Sequence, residues 1–327
     1  DLALQMKVSA AYLLDPGFRS EAASQWANAV PVIEKQLNAQ PEAVAGVRLP
    51  ILLASGDQRF GVPEATVLTK RNFDEAKTAL APVIASAPIE ITIVGDVDEN
   101  AVIAAVAKTF GALPERKLSD PVSADLKKAS FRADRRPIVL THDGPQDKAL
   151  VEAVWPTSDD SNYREVIGIE LLKDVLDLML TDSVREKLGD SYGVSLQSAM
   201  SDTFKGFGYL SVAAVVAPDK TDEVQQAIAE AAAQLRDQPA SVDLLARARN
   251  PELEKVDRQL RDNGYWIAAL AKAQSEPERL DRIRQKKALM QSITASDIQK
   301  LARKYLQPGD LQKVQIVSSK VATTASR

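Results

Sequence analysis

The sequence predicts an α+β fold with two related domains, each an antiparallel sheet that helices cover on one side. Two observations predict it. Between residues 137 and 320, short β-branched runs and longer helical patterns follow the order β-β-α-α-β-β-α-α-α-β, which is not the strict alternation of a doubly wound parallel sheet. In addition, residues 68–95 and 293–319 repeat one helix–strand pattern.

The repeated segments share three features. Each begins with a threonine at a helix cap position, continues with apolar residues at helical spacing, and ends with a proline followed by a β-branched strand. The predicted caps are Thr69 and Thr294, and the predicted strands are 89–94 and 314–318. An internal duplication explains this repeat.

The duplication also predicts the domain boundaries. The second repeat unit begins near residue 137, so much more of its chain precedes Thr294 than precedes Thr69 in the first unit. We therefore expect a first domain that is truncated at its N-terminus and a second that is complete. The expected division is a truncated domain over 1–116, a linker over 117–136, a complete domain over 137–320 and a tail over 321–327.

The elements of the complete domain follow from hydrophobic periodicity. Alternating apolar residues predict strands at 138–142, 148–155, 191–200 and 206–216. Apolar residues at helical spacing predict helices over 161–178 and 221–236, with further helix through 265–273 and 277–290.

Two local signals predict additional helix starts. Ser183 and Glu186 have capping-box spacing, which predicts a separate short helix that ends at Gly189. Asn250 and Pro251 resemble a helix cap followed by a proline in the first turn, which predicts that a helix restarts there.

Composition excludes several classes of function. The formal net charge is -4 and the basic residues are scattered, so nucleic acid is not expected as a partner. No apolar run reaches the roughly 20 residues that span a membrane. The sequence has no cysteine and one histidine, so these residues alone are not expected to bind zinc. His142 is predicted to be a turn-region side chain, and an acidic run at 95–101 to cap a helix through Asp96 or Asp98 instead of binding calcium.

The compartment is not predicted by the sequence. The chain begins without methionine and reads as part of a longer protein, so a missing signal peptide carries no weight. The bacterial periplasm and the cytoplasm both remain open.

The segment VREKLGDSYGVS, residues 184–195, holds the candidate catalytic residues. Arg185 offers a fixed fork of charged donors, and Tyr192 offers a phenolic donor across a turn at Gly189. Together they could hold a peptide carbonyl and stabilise the oxyanion that forms on it. In the alternative interpretation, Arg185 is an exposed helix residue and Tyr192 belongs to the core, on the same strand face as Val194.

This segment resembles the R-E-x-x-G-x-x-Y motif in the C-terminal half of pitrilysin/insulinase-type zinc metallopeptidases, the inverzincins. It is more similar to the long bacterial members. Two other segments resemble the same family, namely LALQMKVSAAYLLDPGFRSEA at 2–22 and IEITIVGDVDENAVIAAVAKTFGALPER at 89–116. Together with their order and the duplication, they extend the resemblance over most of residues 1–320.

The resemblance implies a peptidase built as a clamshell of two halves, with two α+β domains in each half around a peptide chamber. Zinc is bound in the first half by H-x-x-E-H and a downstream glutamate, and the second half contributes an arginine and a tyrosine that contact the substrate. By position these are Arg185 and Tyr192, and the two predicted domains would be the third and fourth of the intact protein.

The expected function is therefore the substrate-binding half of a zinc metalloendopeptidase, with a peptide or small protein as substrate. H-x-x-E-H is absent from this sequence, so the fragment alone is expected to be inactive. The zinc-bearing half would lie upstream in the same chain or in a partner subunit. The alternative is a non-catalytic assembly or peptide-binding subunit of a complex resembling processing peptidases.

Overall fold

The computed structural model describes residues 2–116, 123–188 and 193–320, with the backbone only for 184–188. These residues form twelve α-helices: α1 (Leu2–Leu14), α2 (Ser20–Asn38), α3 (Pro41–Leu53), α4 (Ala65–Leu68), α5 (Phe73–Ser86), α6 (Glu99–Ala107), α7 (Tyr163–Leu188), α8 (Thr221–Asp237), α9 (Val242–Gln259), α10 (Asn263–Leu270), α11 (Glu278–Ser292) and α12 (Ala295–Tyr305). They also form five strands: β1 (Ile138–His142), β2 (Ala149–Thr157), β3 (Val194–Met200), β4 (Gly208–Val216) and β5 (Gln312–Ser318).

The chain divides into two compact units that interleave along the sequence. The helical unit comprises Asp1–Val32, Glu64–Ser123 and Arg258–Ile283, and the sheet unit comprises Ile33–Pro63, Ala124–Asp257 and Arg284–Arg327. Each unit is therefore assembled from three separate stretches of chain. The boundaries 1–116, 117–136, 137–320 and 321–327 stay a prediction for the intact protein.

The sheet unit has the predicted α+β architecture, with one mixed five-stranded sheet in the order β1-β5-β2-β4-β3. Strand β2 lies at the centre and pairs antiparallel with both β4 and β5, and β3 pairs antiparallel with β4. The pairing of β1 with β5 is parallel, so the sheet is not antiparallel throughout. The α+β class is confirmed, and this parallel pair is a correction to the predicted detail.

One face of the sheet packs against α7, α8 and α12 and contains the larger core. Trp155 on β2, Leu210 on β4 and Leu172 on α7 are all almost fully buried there. Because side chains alternate along a strand, only every second residue of β2 and β4 reaches this core. Helices α7 and α12 approach closely at Gly168, where a Cβ atom would contact Leu301.

The opposite face is partly covered by α3, which the prediction of helices on one side did not include. Val44, Leu49 and Leu53 of α3 pack against the apolar residues of β1, β2 and β5. The helix begins with Pro41 at its first position, where the missing N–H costs nothing. This second layer leaves β3 and β4 uncovered on the same face.

The five strands of the sheet unit were predicted to within three residues at each end, but two of the predicted helix breaks are wrong. Helix α7 continues without interruption from Tyr163 to Leu188, so Ser183 does not cap a separate helix. Helix α9 passes through Pro251, although a proline inside a helix removes one hydrogen bond. On α9, burial of Leu245, Ala248 and Val256 outweighs the helix break that Asn250 and Pro251 predicted.

The predicted helix cap at Thr294 is confirmed. Thr294 Oγ1 accepts a hydrogen bond from the N–H of Asp297 at 3.2 Å, and the Asp297 carboxylate accepts one from the N–H of Thr294 at 3.0 Å. The two bonds form a capping box at the start of α12.

In the helical unit, two predictions for the first copy of the repeat are wrong, namely the cap at Thr69 and the strand at 89–94. Asn72, not Thr69, caps α5, with its side chain accepting from the N–H of Glu75 at 3.0 Å. Residues 89–94 do not form the predicted strand, because a strand needs a partner ladder and no described residue of this unit is a strand. The predicted cap at Asp98 is present, where the carboxylate accepts from the N–H of Ala101 at 2.7 Å.

Within the described ranges, no helix combines the length and apolar character that crossing a membrane requires.

Candidate functional site

An open cavity of about 800 Å³ lies on the sheet face that α3 covers only in part. Helix α3 forms one wall through Leu49 and Leu53, and the exposed halves of β3 and β4 form the floor. Its volume is within the range of ligand pockets, which span roughly 300–1,000 Å³. We call it the sheet cavity, and all its lining residues belong to the sheet unit.

Glu152 is the central charged group of the sheet cavity. It lies midway along β2, directly opposite Ala213 of β4, and is largely buried. Its carboxyl accepts a hydrogen bond from the hydroxyl of Ser211, and burial raises its pKa from 4.5 to about 7. Desolvation disfavours the ionised form, and the serine hydroxyl only partly offsets that cost.

A row of polar side chains extends from Glu152 across the floor. Ser211 and Tyr209 on β4, with Ser195 and Gln197 on β3, line the cavity. The strand register places Ser211 opposite Gln197, so these groups share one face. Burial raises the pKa of Tyr209, and the nearby Glu152 charge adds to this effect. The floor therefore offers hydroxyl, amide and carboxyl groups to a ligand.

His142 is buried at the end of β1, next to the turn that leads to β2. Its Nδ1 accepts from the N–H of Gly144 at 3.1 Å, so Nε2 donates to the carbonyl oxygen of Lys148 at 2.9 Å. Lys148 and its neighbour Asp147 line the cavity. The histidine thus holds the β1–β2 turn in shape, and both of its ring nitrogens are used in doing so.

Aromatic residues close the end of the sheet cavity. The rings of Phe60 and Phe207 line it, with centroids 4.8 Å apart. Phe204 packs beside them, and the guanidinium of Arg59 lies 5.0 Å from the Phe204 ring centroid. Arg59 also donates to the carbonyl of Lys128 at 2.8 Å, which fixes the connection that precedes β1.

The predicted pair of catalytic residues lies outside what the structure describes. Arg185 is in α7, but its side chain is not among the described atoms, and Tyr192 falls in the range 189–192. Their proximity and role therefore stay predictions. Gly193, which follows Tyr192 in the sequence, lines the sheet cavity.

Zinc does not fit the residues that the structure describes. Within 2–116, 123–188 and 193–320, no group of three or more histidine, cysteine, aspartate or glutamate side chains is arranged to hold a metal ion. A protein zinc site needs at least three such ligands.

No pattern in the sequence predicted the sheet cavity. Glu152 stands in the apolar run ALVEAVWPT, where alternation predicts a solvent-facing position on a half-buried strand. The facing wall of its cavity is α3, about a hundred residues earlier in the sequence. The available sequence signal for this site was Glu152 itself, a single carboxylate in the middle of an apolar strand.

The sequence and the fold were compared with known proteins. The sequence profile described as Peptidase M16 inactive domain matches residues 84–251, just over half of the chain. A curated relative, the chloroplastic stromal processing peptidase of Pisum sativum, is 23% identical over 272 residues, which cover 70% of this chain and 22% of that protein. The chain thus spans less than a quarter of that relative's length.

Solved structures show the same fold. A protease from Helicobacter pylori superposes with a TM-score of 0.80 at 12% identity, covering 96% of this chain and 76% of that one. A peptidase M16 inactive domain from Pseudomonas fluorescens gives a TM-score of 0.76 at 16% identity, covering 96% and 75%. These identities are low, so the likeness is one of fold.

Proposed function

Because this chain belongs to the Peptidase M16 inactive domain family, we propose that it is the substrate-binding C-terminal half of a zinc metalloendopeptidase. The zinc ion would be held by a zinc-bearing half outside these residues, either upstream in the same polypeptide or in a partner subunit. The substrate would be a peptide or a small protein. The relatives named as proteases or processing peptidases support this class of reaction.

The observation that carries the proposal is the sheet cavity. An extended peptide needs a concave surface with apolar walls and a few well-placed polar groups, and the cavity provides both. Its walls come from α3 and the aromatic residues, while its floor presents Glu152, Ser211 and Gln197.

In this proposal, Arg185 and Tyr192 donate hydrogen bonds to the substrate carbonyl as it becomes tetrahedral. A preorganised donor is worth most when negative charge develops on the oxygen that it contacts. Gly193 lines the cavity and is the next residue after Tyr192 in the sequence, which supports a shared role for Tyr192 and the cavity.

The test is cleavage of a quenched fluorescent peptide by the intact protein, with and without a metal chelator. We expect chelator-sensitive turnover, and we expect Tyr192→Phe to lower kcat/KM by about 100-fold, the scale of losing one oxyanion donor. Tyr12→Phe is the matched control, because Tyr12 lies exposed on α1 in the helical unit. An unchanged kcat/KM for Tyr192→Phe would remove the proposed role of that residue.

The same assay separates the alternative function. If the folded intact protein gives no turnover even with added zinc and its zinc-bearing half, the chain acts as a non-catalytic assembly or peptide-binding subunit. A peptide that binds without being cleaved would favour the peptide-binding form of that alternative.

A further inference from the structure

The charges that line the sheet cavity are predominantly acidic. Glu42 contributes a carboxylate from α3, Asp147 one from the β1–β2 turn and Glu152 one from the floor, whereas Lys148 contributes the single lining ammonium group. Because the cavity walls exclude part of the solvent, this excess of negative charge acts on a ligand more strongly than it would on an open surface.

Glu152 has a hydrogen-bond donor but no cationic partner among the described residues. Ser211 donates to its carboxyl, and none of the described lysine, arginine or histidine side chains makes an ion pair with it. A largely buried carboxylate is costly unless a charge or several donors compensate it. The strand register places Glu152 at the centre of the sheet, and its side chain lines the open sheet cavity.

We propose that the sheet cavity binds a peptide through a basic side chain, whose ammonium or guanidinium group pairs with Glu152. This inference rests on the proposed function and adds the class of residue that the substrate presents to this domain. Such a cation would supply the charged partner that Glu152 lacks, in a site where charge-assisted hydrogen bonds are about twice as strong as neutral ones.

The walls of the cavity suit the rest of such a side chain. Leu49 and Leu53 of α3, Leu150 of β2 and Phe207 form apolar surfaces around the approach to Glu152. Lysine and arginine have three or four methylene groups, which pack on apolar surface while the charged head reaches a polar partner. A glutamine side chain in the same place would leave the carboxylate without a cation.

The experiment measures binding separately from cleavage. Two labelled peptides that differ only in a central lysine or glutamine are titrated with the intact protein, in the presence of a chelator that stops hydrolysis, and fluorescence anisotropy gives each Kd. We expect the lysine peptide to bind about tenfold more tightly, the ratio typical of one charge-assisted hydrogen bond. In Glu152→Gln the two peptides should bind almost equally.

The control variant is Glu34→Gln, because Glu34 is exposed on α2 and does not line the cavity. It should keep the lysine preference in full. A second variant, Glu152→Asp, keeps the charge but shortens the side chain, and should retain part of the preference. Fluorescence of the buried Trp155 verifies that each variant is folded.

The preference should also depend on pH, because a carboxyl must lose its proton to pair with a cation. It should be small at pH 5 and complete at pH 8. The other ionisable groups that line the cavity are Glu42, Asp147, Lys148 and Tyr209, and the Glu152→Gln variant retains all four. Any pH dependence that survives in this variant therefore belongs to them.

Several results would overturn the inference. They are equal binding of the two peptides to the unmodified protein, a lysine preference that survives in Glu152→Gln, and a failure of both peptides to bind. If the intact protein still cleaves peptides in any of these cases, the proposed function stands and only the role of the cavity falls. If the protein neither binds nor cleaves, the proposed function falls with it.

Discussion

Replacing Glu152 by glutamine should change how the stability of the sheet unit depends on pH. Burial raises the pKa of this carboxyl from 4.5 to about 7 in the folded chain. Between these two values the unfolded chain has released the proton and the folded chain still holds it. The free energy of unfolding therefore falls as pH rises, since the unfolded state binds fewer protons.

The magnitude follows from the difference between the two pKa values. Each pKa unit corresponds to about 1.4 kcal/mol, so the loss of stability between pH 4.5 and pH 8 is at most about 3 kcal/mol. Glutamine is neutral throughout this range, and its amide oxygen can still accept from Ser211. Glu152→Gln should thus resemble the unmodified protein near pH 4.5 and exceed it in stability near pH 8.

The assay uses urea unfolding, followed by tryptophan fluorescence at several pH values. Trp155 is the one tryptophan of the sheet unit, because Trp26 and Trp266 belong to the helical unit. Replacing those two by phenylalanine makes the signal specific for the sheet unit. Glu34→Gln serves as the control and should follow the unmodified curve.

Parallel stability curves for the unmodified protein and Glu152→Gln between pH 4.5 and pH 8 would refute the reasoning. They would mean that Glu152 ionises in the folded chain as it does in the unfolded one. The carboxyl would then be well solvated, and the cavity floor would not impose the desolvation described above.

Three further substitutions test the packing of the sheet unit by urea unfolding. Thr294→Ala should cost about 1 kcal/mol by removing the capping box of α12; an unchanged midpoint would mean that the cap contributes nothing. Gly144→Ala should cost about 1–3 kcal/mol, because the new Cβ would meet the carbonyl oxygen of Ala39; a neutral result would mean that this contact is loose. Leu172→Ala should cost about 2–5 kcal/mol in the core, while exposed Leu126→Ala should cost little, and equal losses would contradict the assigned burial.

Much of the sheet unit was predictable because its signals are local. Alternation of apolar residues predicted β1 with its observed bounds, Ile138–His142. Thr294 was predicted as a helix cap because its side chain can accept a hydrogen bond from the first turn of α12. Local signals failed where tertiary packing opposed them. Pro251 lies within α9 because Ala248 and Val256 on either side of it are buried, and residues 89–94 lack the partner that a strand needs.

The candidate site was harder to predict for the same reason. Glu152 lines a cavity whose facing wall is α3, and no local pattern near β2 predicts that this helix packs there. Arg185 and Tyr192 were identified by resemblance to a motif, which depends on sequence alone. The two kinds of inference thus reached different residues.

The position of β5 has a consequence for how the protein is made. Among the described strands this one is the last along the chain, yet it lies between β1 and β2, so β1 has no ladder partner until β5 is inserted. A ribosome must release residues up to Ser318 before the sheet can close. Until then β1 has no paired strand and one edge of β2 has unpaired backbone N–H and C=O groups. Unpaired strand edges of this kind favour aggregation. Pairing of β5 with its two neighbours is therefore the step that gives β1 its partner and covers the second edge of β2.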